Sequence, residues 1–377
     1  MSAAELRARA RRRRLIIQSL IILGTVVFIW TTISSARTNL AALGITSGYG
    51  FLERSTGWAY SFSLIDRNID DTYARTLTIG FMNSLFLGGI CIVLSTILGF
   101  LIGTMRDMKN LALVSAASVF VQTFRNIPLI LQLVFWYAIC IHMPGPRQAL
   151  SLGDSVFLSN RGMMIPTLNV DVQYGVWIAL ASILLLVMLF LRKVKLGKLF
   201  AIWAGGTLAM IVLAALILVP AGEAAVSTPE LKGLRFVGGL TVSIEFVAMI
   251  ISIVLYGSAY IAEVVRGGLK QVPTGLIEAG QAVGLSSGQI WSRIKMPMAL
   301  RTVIPPLGNQ WIFIMKATTI GVAIGFSDLF YIVSTSITQS GQTLELIAIL
   351  MGAFLLVNFS IAQFVNWLNA RMQLKAH

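Results

Sequence analysis

Apolar runs of about 20 residues recur along this chain, the length of helix that a lipid core about 30 Å thick requires. Eight stretches qualify: 15–33, 77–105, 111–141, 174–191, 199–219, 240–263, 303–326 and 344–368. The second and third exceed the required length, so they tilt or extend beyond the bilayer. Of the 377 residues, 56% are hydrophobic and only 12% are charged; soluble domains carry about a quarter charged residues. Mean hydropathy is +0.83. A soluble globule of this size cannot hide that much apolar surface, and a disordered chain needs the opposite composition. An ordinary cytosolic enzyme and a disordered protein are both excluded. The expected architecture is an all-α integral membrane protein with about eight transmembrane helices.

The net charge of +14 would point to nucleic acid in a soluble protein. Here its distribution has a topological reading. With the amino terminus in the cytoplasm, the inner segments hold Arg7, Arg9 and Arg11 to Arg14, then Arg106 and Lys109, then Arg192, Lys193, Lys195 and Lys198. They also hold five cations between 265 and 301, and Arg371 and Lys375 at the end. Nineteen of the 29 basic residues fall inside and eight outside, with Arg125 and Lys316 within spans. Positive charge stays on the cytoplasmic side, so both termini are expected there, and no nucleic-acid partner is expected. The arginine run followed by 19 apolar residues reads as an uncleaved anchor, since a cleaved signal has a shorter apolar region.

Between the first two spans, residues 34–75 combine charges with Phe51, Leu52, Trp58, Tyr60, Phe62 and Tyr73. That mixture suits the membrane interface and predicts a helix lying on the surface. Residues 142–173, with Pro144, Pro146 and Pro166, and residues 221–239 read as irregular outer loops. The chain divides at residue 76: 1–76 is an anchor helix with its interfacial segment, and 77–377 is the transmembrane domain. Cys91, Cys140, His142 and His377 are the only cysteines and histidines, which leaves no disulfide framework and no metal set. No phosphate-binding G-x-x-x-x-G-K-[ST] occurs.

The segment 265–301 is the longest inner loop. Pro273 and Gly275 open a short helix expected over 276–283, with Leu276, Ala279 and Val283 on one side and Gly284 as its stop. Ser286 or Ser287 then caps a second helix through Ile290 and Ile294, ended by Pro297. A short helix held outside the membrane by a second one is a suitable docking point. Its small residues Ala279, Gly280 and Ala282 permit close approach.

These residues carry a resemblance. Glu278-Ala279-Gly280, Gly284 and Ile294-Lys295-Met296-Pro297 resemble the EAA loop of permease subunits of bacterial ABC importers. The stretch from Arg125-Asn126-Ile127-Pro128 to Gln132 is similar to a segment of the polar amino-acid permeases. So are Tyr260 to Gly268, and Asn309 with Lys316-Ala317-Thr318-Thr319. Tyr49 to Glu53 and the Arg-Asn-Ile-Pro form resemble the general L-amino-acid subgroup. The chain departs from the pattern at Leu276, Gly280 and Thr319. The resemblance implies a type I permease with a five-span core at 77–141 and 240–368, three added spans (the anchor and the pair 174–219) and the coupling loop 265–301. It implies the bacterial inner membrane. The implied partners are a second related permease in a heterodimer, two ATPase subunits and a periplasmic or extracellular amino-acid-binding protein. This chain would bind no cofactor, ATP and Mg²⁺ being used by the partner ATPase, and it would not itself be an enzyme. Glu278, Ala279, Gly280, Gly284 and Pro297 would couple to the ATPase.

A cation within a span should face the bundle interior or water. For Arg125 and Lys316 one reading is a cavity where they meet the carboxylate of an amino-acid substrate. The other is an internal partner such as Glu245, helix-end carbonyls, or snorkelling. Asn126, Gln132, Asn309, Thr318 and Thr319 either contact substrate or link helices. Pro128, Pro305 and Gly321 are candidate helix breaks that would line the path. Two other functions fit parts of the pattern. An ion-coupled carrier would need carboxylates deep in the spans, and a non-transporting scaffold would explain the loop but not the interrupted, charged spans.

Overall fold

In a computed structural model, residues 3–42, 48–170, 172–191, 196–219, 222, 224–233 and 235–372 are described. The cations Arg192, Lys193, Lys195 and Lys375 of the charge argument lie outside them. The chain is dominated by helices. The anchor helix α1 runs Ala3–Ala42, and its apolar stretch buries nothing inside the chain. Then come α2 (Tyr73–Met105), α3 (Leu111–Asn126), α4 (Leu129–Ile141), α5 (Val172–Leu191) and α6 (Leu196–Leu218). The second half contains α7 (Ile244–Lys270), α8 (Thr274–Ala282), α9 (Ser287–Ile290), α10 (Met296–Ala317), α11 (Leu329–Ser340) and α12 (Thr343–Met372). Among the described residues, five helices are long and apolar enough to span a membrane, and two bent pairs bring the number to seven. The helix α5 covers the remaining expected span, 174–191.

The centre is the pair α2 and α7. Gly99 and Gly103 let the helices touch: a Cβ on Gly103 would lie 2.7 Å from the carbonyl oxygen of Ala262, and one on Gly99 2.6 Å from the Cβ of Ile261. Apolar side chains of α4 and α10, including Leu133, Val303 and Ile314, close around Met249, Ile253 and Ile261 of α7. On α10, Gly308 admits Val365 of α12.

The third expected span is not one rod. Pro128 divides it into α3 and α4, which meet at 103°. A proline disfavours helical geometry in the residue before it, and Ile127 is extended, as that rule requires. Pro305 and Pro306, by contrast, sit inside α10 without ending it, because buried neighbours hold the helix together. The break comes later, in a 3₁₀ turn over Thr318–Ile324 that contains Gly321, with a bend of 49° before α11. Pro297 also differs from expectation. It lies where the π turn passes into α10, and it does not end the preceding helix. Helix α7 begins at Ile244 after the Ser243 cap and continues to Lys270, seven residues past the expected end.

The outer segments hold more order than their sequences predict. Among the described residues, the expected loops 142–173 and 221–239 are not irregular. They form hairpins, with strands β1 (Leu150–Leu152), β2 (Val156–Ser159), β3 (Gly162–Ile165), β4 (Thr167–Leu168), β5 (Val226–Ser227), β6 (Glu230–Lys232), β7 (Arg235–Val237) and β8 (Leu240–Val242). An antiparallel sheet of order β1-β2-β3-β8 joins the two segments across the intervening helices, pairing Met163 with Val242. The expected span 240–263 therefore starts as a strand.

The segment before α2 is not a surface helix either. Residues 34–42 continue α1, and the described residues 48–72 hold one 3₁₀ turn, Tyr49–Glu53, and are otherwise non-helical. Phe51 and Tyr60 are buried against Tyr73 and Leu77 of α2 and Leu329 and Ile332 of α11. Asn83 of α2 supplies the backbone partners that this stretch lacks. Its side chain accepts from the Leu64 N–H at 3.2 Å and donates to the Phe62 carbonyl at 3.0 Å. Burial pushes the Tyr60 hydroxyl pKa up, and the Arg67 guanidinium sits 4.7 Å above its ring.

Candidate functional site

Helix α7, about 40 Å long at 1.5 Å per residue, places the sheet at one end of the bundle and α8 with α9 at the other. The chain leaves α7 through Gln271 and reaches α8 after Pro273. Gly284, at φ 80°, adopts the left-handed geometry that ends α8, and Leu285 N–H returns to the Gly280 carbonyl at 3.0 Å. Ser286 caps α9 in a reciprocal box with Gln289. The helix α8 is thus one to two residues displaced from the expected 276–283, and Ser286 is the cap.

Gly280 is not on the outward face. It is buried, and a Cβ there would meet Ile294 at 2.9 Å and Ile290 at 3.3 Å. The outward face carries Glu278, Ala279, Leu276 at 42% exposure and Val283 at 75%. The apolar residues Leu276 and Val283 are thus left open beside a carboxylate. Behind it, residues Trp291–Lys295 form a π turn that leads into α10. From that turn Lys295 pairs with Asp107, just past α2, so a contact reaches from the loop to a helix 188 residues away in sequence.

The neighbouring residue Arg106 pairs with Glu263 of α7 and donates to Ser118 of α3 at 3.4 Å. Arg266 holds the other oxygen of Glu263. Arg125 approaches that carboxylate at 3.6 Å and lies 5.0 Å above the ring of Tyr260. The partner of Arg125 is therefore Glu263, not Glu245. Three guanidinium groups around one carboxylate leave local positive charge in excess, and Arg125 is the most exposed of them, at 38%.

The remaining predicted path residues separate into two groups. Gln132 is buried, and its amide donates to the Phe124 and Ile127 carbonyls at 2.9 Å each, groups released by the break at Pro128. Thr318 and Thr319 donate to the Met315 and Lys316 carbonyls at the end of α10. These three serve the backbone. Asn126 is exposed at the end of α3. Asn309 and Lys316 are exposed on α10, at positions that share a face with Phe313. Phe313 stacks on Tyr256 at 5.7 Å, and Tyr256 donates to the Tyr260 hydroxyl at 3.2 Å. A row of contacts thus runs from Arg125 to the face that bears Lys316. Tyr256 and Phe313 were missed by sequence reasoning, and Tyr260 and Glu263 entered it only within the family-like stretch, with no role of their own. The spacing of 256, 260 and 263 on one helix was the signal available for three of them.

Residues 95–374 match the family of binding-protein-dependent transport system inner membrane components. The chain belongs to that family. It is thus a multi-pass membrane component of a transport system, and the family match takes in α8 and the row just described. The similarity to individual members extends over nearly all of the chain. The putative amino-acid ABC transporter permease protein YhdX of Escherichia coli is 35% identical over 369 residues, 96% of this chain and 94% of its own length. The general L-amino acid transport system permease protein AapQ of Rhizobium johnstonii is 36% identical over 372 residues, 96% and 92% of the two chains. The glutamate/glutamine/aspartate/asparagine permease BztB of Rhodobacter capsulatus is 28% identical over 404 residues, 97% of this chain and 95% of its own.

Proposed function

We propose that this chain is the permease subunit of an ATP-driven importer of L-amino acids, forming the translocation path by alternating access. The observation that carries the reading is α8. It is a helix held at both ends, packed through Gly280 onto α9 and the π turn, with Leu276, Glu278 and Val283 turned outward. A helix so braced transmits a rigid-body push, which a loose loop cannot. The family and the amino-acid permeases similar to it over nearly their full length support the same reading.

In this proposal ATP and Mg²⁺ act on two separate cytoplasmic ATPase subunits, whose closure moves α8. A second related permease completes the path. A binding protein outside the inner membrane delivers the amino acid to the sheet end, and both termini lie in the cytoplasm. Glu278 pairs with a cation at the rim of the ATPase cleft while the apolar stripe enters it.

Co-purification tests this. A desolvated charge that loses its partner costs about 2–5 kcal/mol, enough to weaken docking more than tenfold. Glu278→Lys, or Gly284→Asp at a left-handed position, should leave the permease in the membrane while the ATPase dissociates or its hydrolysis stops responding to substrate. Wild-type association together with wild-type stimulated hydrolysis in both variants would reject the coupling role.

A further inference from the structure

Arg125 and Lys316 both belong to apolar helices, yet both are exposed on the single chain. A cation held against hydrocarbon is costly, so the face that carries them meets water or protein in the assembled transporter. Three aromatic side chains occupy the same face between them. Tyr260 lies under Arg125 at 5.0 Å, Tyr256 is 4.8 Å from Tyr260, and Phe313 is 5.7 Å from Tyr256. Phe313 itself is 38% exposed, and Lys316 follows it three residues later on α10.

We infer that Tyr256, Tyr260 and Phe313 form an aromatic floor for the substrate, with a cation at each end. The inference rests on the transport reading and assigns chemistry to its path. A free amino acid is a zwitterion. Its carboxylate suits Arg125 or Lys316, while its ammonium suits the face of an aromatic ring or the Asn309 amide. Ring-to-ring steps of 4.8 and 5.7 Å let a small zwitterion engage one ring before it has left the next. Half-exposed rings hold a zwitterion weakly enough to release it on the other side, which a deep charged pocket would not. Glu263 keeps Arg125 in place at the α8 end, where three guanidinium groups around one carboxylate leave positive charge to draw the substrate's carboxylate. The floor therefore selects for a substrate that carries both charges, and it leaves the substrate's side chain facing the partner permease.

Thiol labelling of the assembled transporter in vesicles tests this, because Cys91 and Cys140 are buried and give little background. A cysteine at Phe313 (Phe313→Cys) should react with a small water-soluble methanethiosulfonate. A mixture of L-amino acids should slow that reaction severalfold, while the corresponding decarboxylated amines should not. In a second arm, Tyr256→Leu should raise the KM for amino-acid uptake about tenfold and Tyr256→Phe should restore it, with ATPase association unchanged in both. An unreactive Phe313→Cys, equal protection by the amines, or a Tyr256→Leu variant with wild-type KM would each overturn the inference. The transport reading is judged separately by the ATPase association of the Glu278 variant, which none of these outcomes alters.

Discussion

Gln132 and Arg125 are seven residues apart, and the structure gives them opposite tasks. Gln132 is buried and ties down two carbonyls at the Pro128 break. Removing a buried donor leaves its acceptors unpaired at a cost of about 1–3 kcal/mol. Gln132→Ala should therefore lower the thermal midpoint of the purified complex by several degrees. Arg125 is half-exposed, and its partner Glu263 keeps Arg106 and Arg266 when it is gone. Arg125→Ala should leave that midpoint nearly unchanged and reduce amino-acid uptake at least tenfold. Thermal unfolding and uptake on the same preparations check both, and a matching loss of midpoint in Arg125→Ala would make this arginine structural. A lone sequence offers the same polar residue types for both roles. Only burial and partners separate a residue that mends a helix break from one that faces a path.

At the scale of elements, the bundle depends on how closely α2 approaches α7. The nearest neighbours of a Cβ on Gly103 would be a backbone oxygen of Ala262 and the branched side chain of Val265, at 2.7 Å each. The backbone cannot rotate away as a flexible side chain end can. Gly103→Val forces the helices apart and should cost about 3 kcal/mol, the upper end of the overpacking range. Gly267, which has open space at its Cβ, is the control: Gly267→Ala should be neutral or stabilising. Unfolding midpoints in detergent measure the difference, and equal midpoints for the two variants would refute the packing argument. The loop unit teaches the complementary point. Gly284 as a stop and a serine cap were readable from residue chemistry. That Gly280 turns inward onto Ile290 and Ile294, and that Lys295 reaches Asp107, needed α9 and α2 in place.

For the whole molecule, the proposed orientation, with the sheet outside and α8 inside, makes a prediction about the two ends of α7. Ser151 of β1 and Ser287 of α9 are both exposed and mark the two ends. Ser151→Cys should react with an impermeant maleimide added to intact cells. Ser287→Cys should react only after the membrane is opened. Strong labelling of Ser287→Cys in intact cells would invert the assignment. Ser159 lies in the same hairpin but is fully buried, so a cysteine there would report packing rather than sidedness.

By itself, the sequence determined that the chain lives in lipid and is helical, and where most spans fall, because hydrocarbon demands long apolar runs and punishes unpaired backbone. It also determined the short helices between α7 and α10, whose stop and cap are local chemistry confined to a few neighbouring residues. The tertiary structure decided what depends on distant partners. Strands β3 and β4 pair with β8 and β5 only because the helices between them return the chain to the same place. Phe51 and Tyr60 are core rather than interface because Asn83, Leu329 and Ile332 lie beneath that segment. Arg125 chose Glu263 over Glu245 because the 103° bend at Pro128 carries the end of α3 to the α8 end of α7. Composition and periodicity report what a residue tolerates on its own helix; which neighbour stands opposite is a property of packing alone.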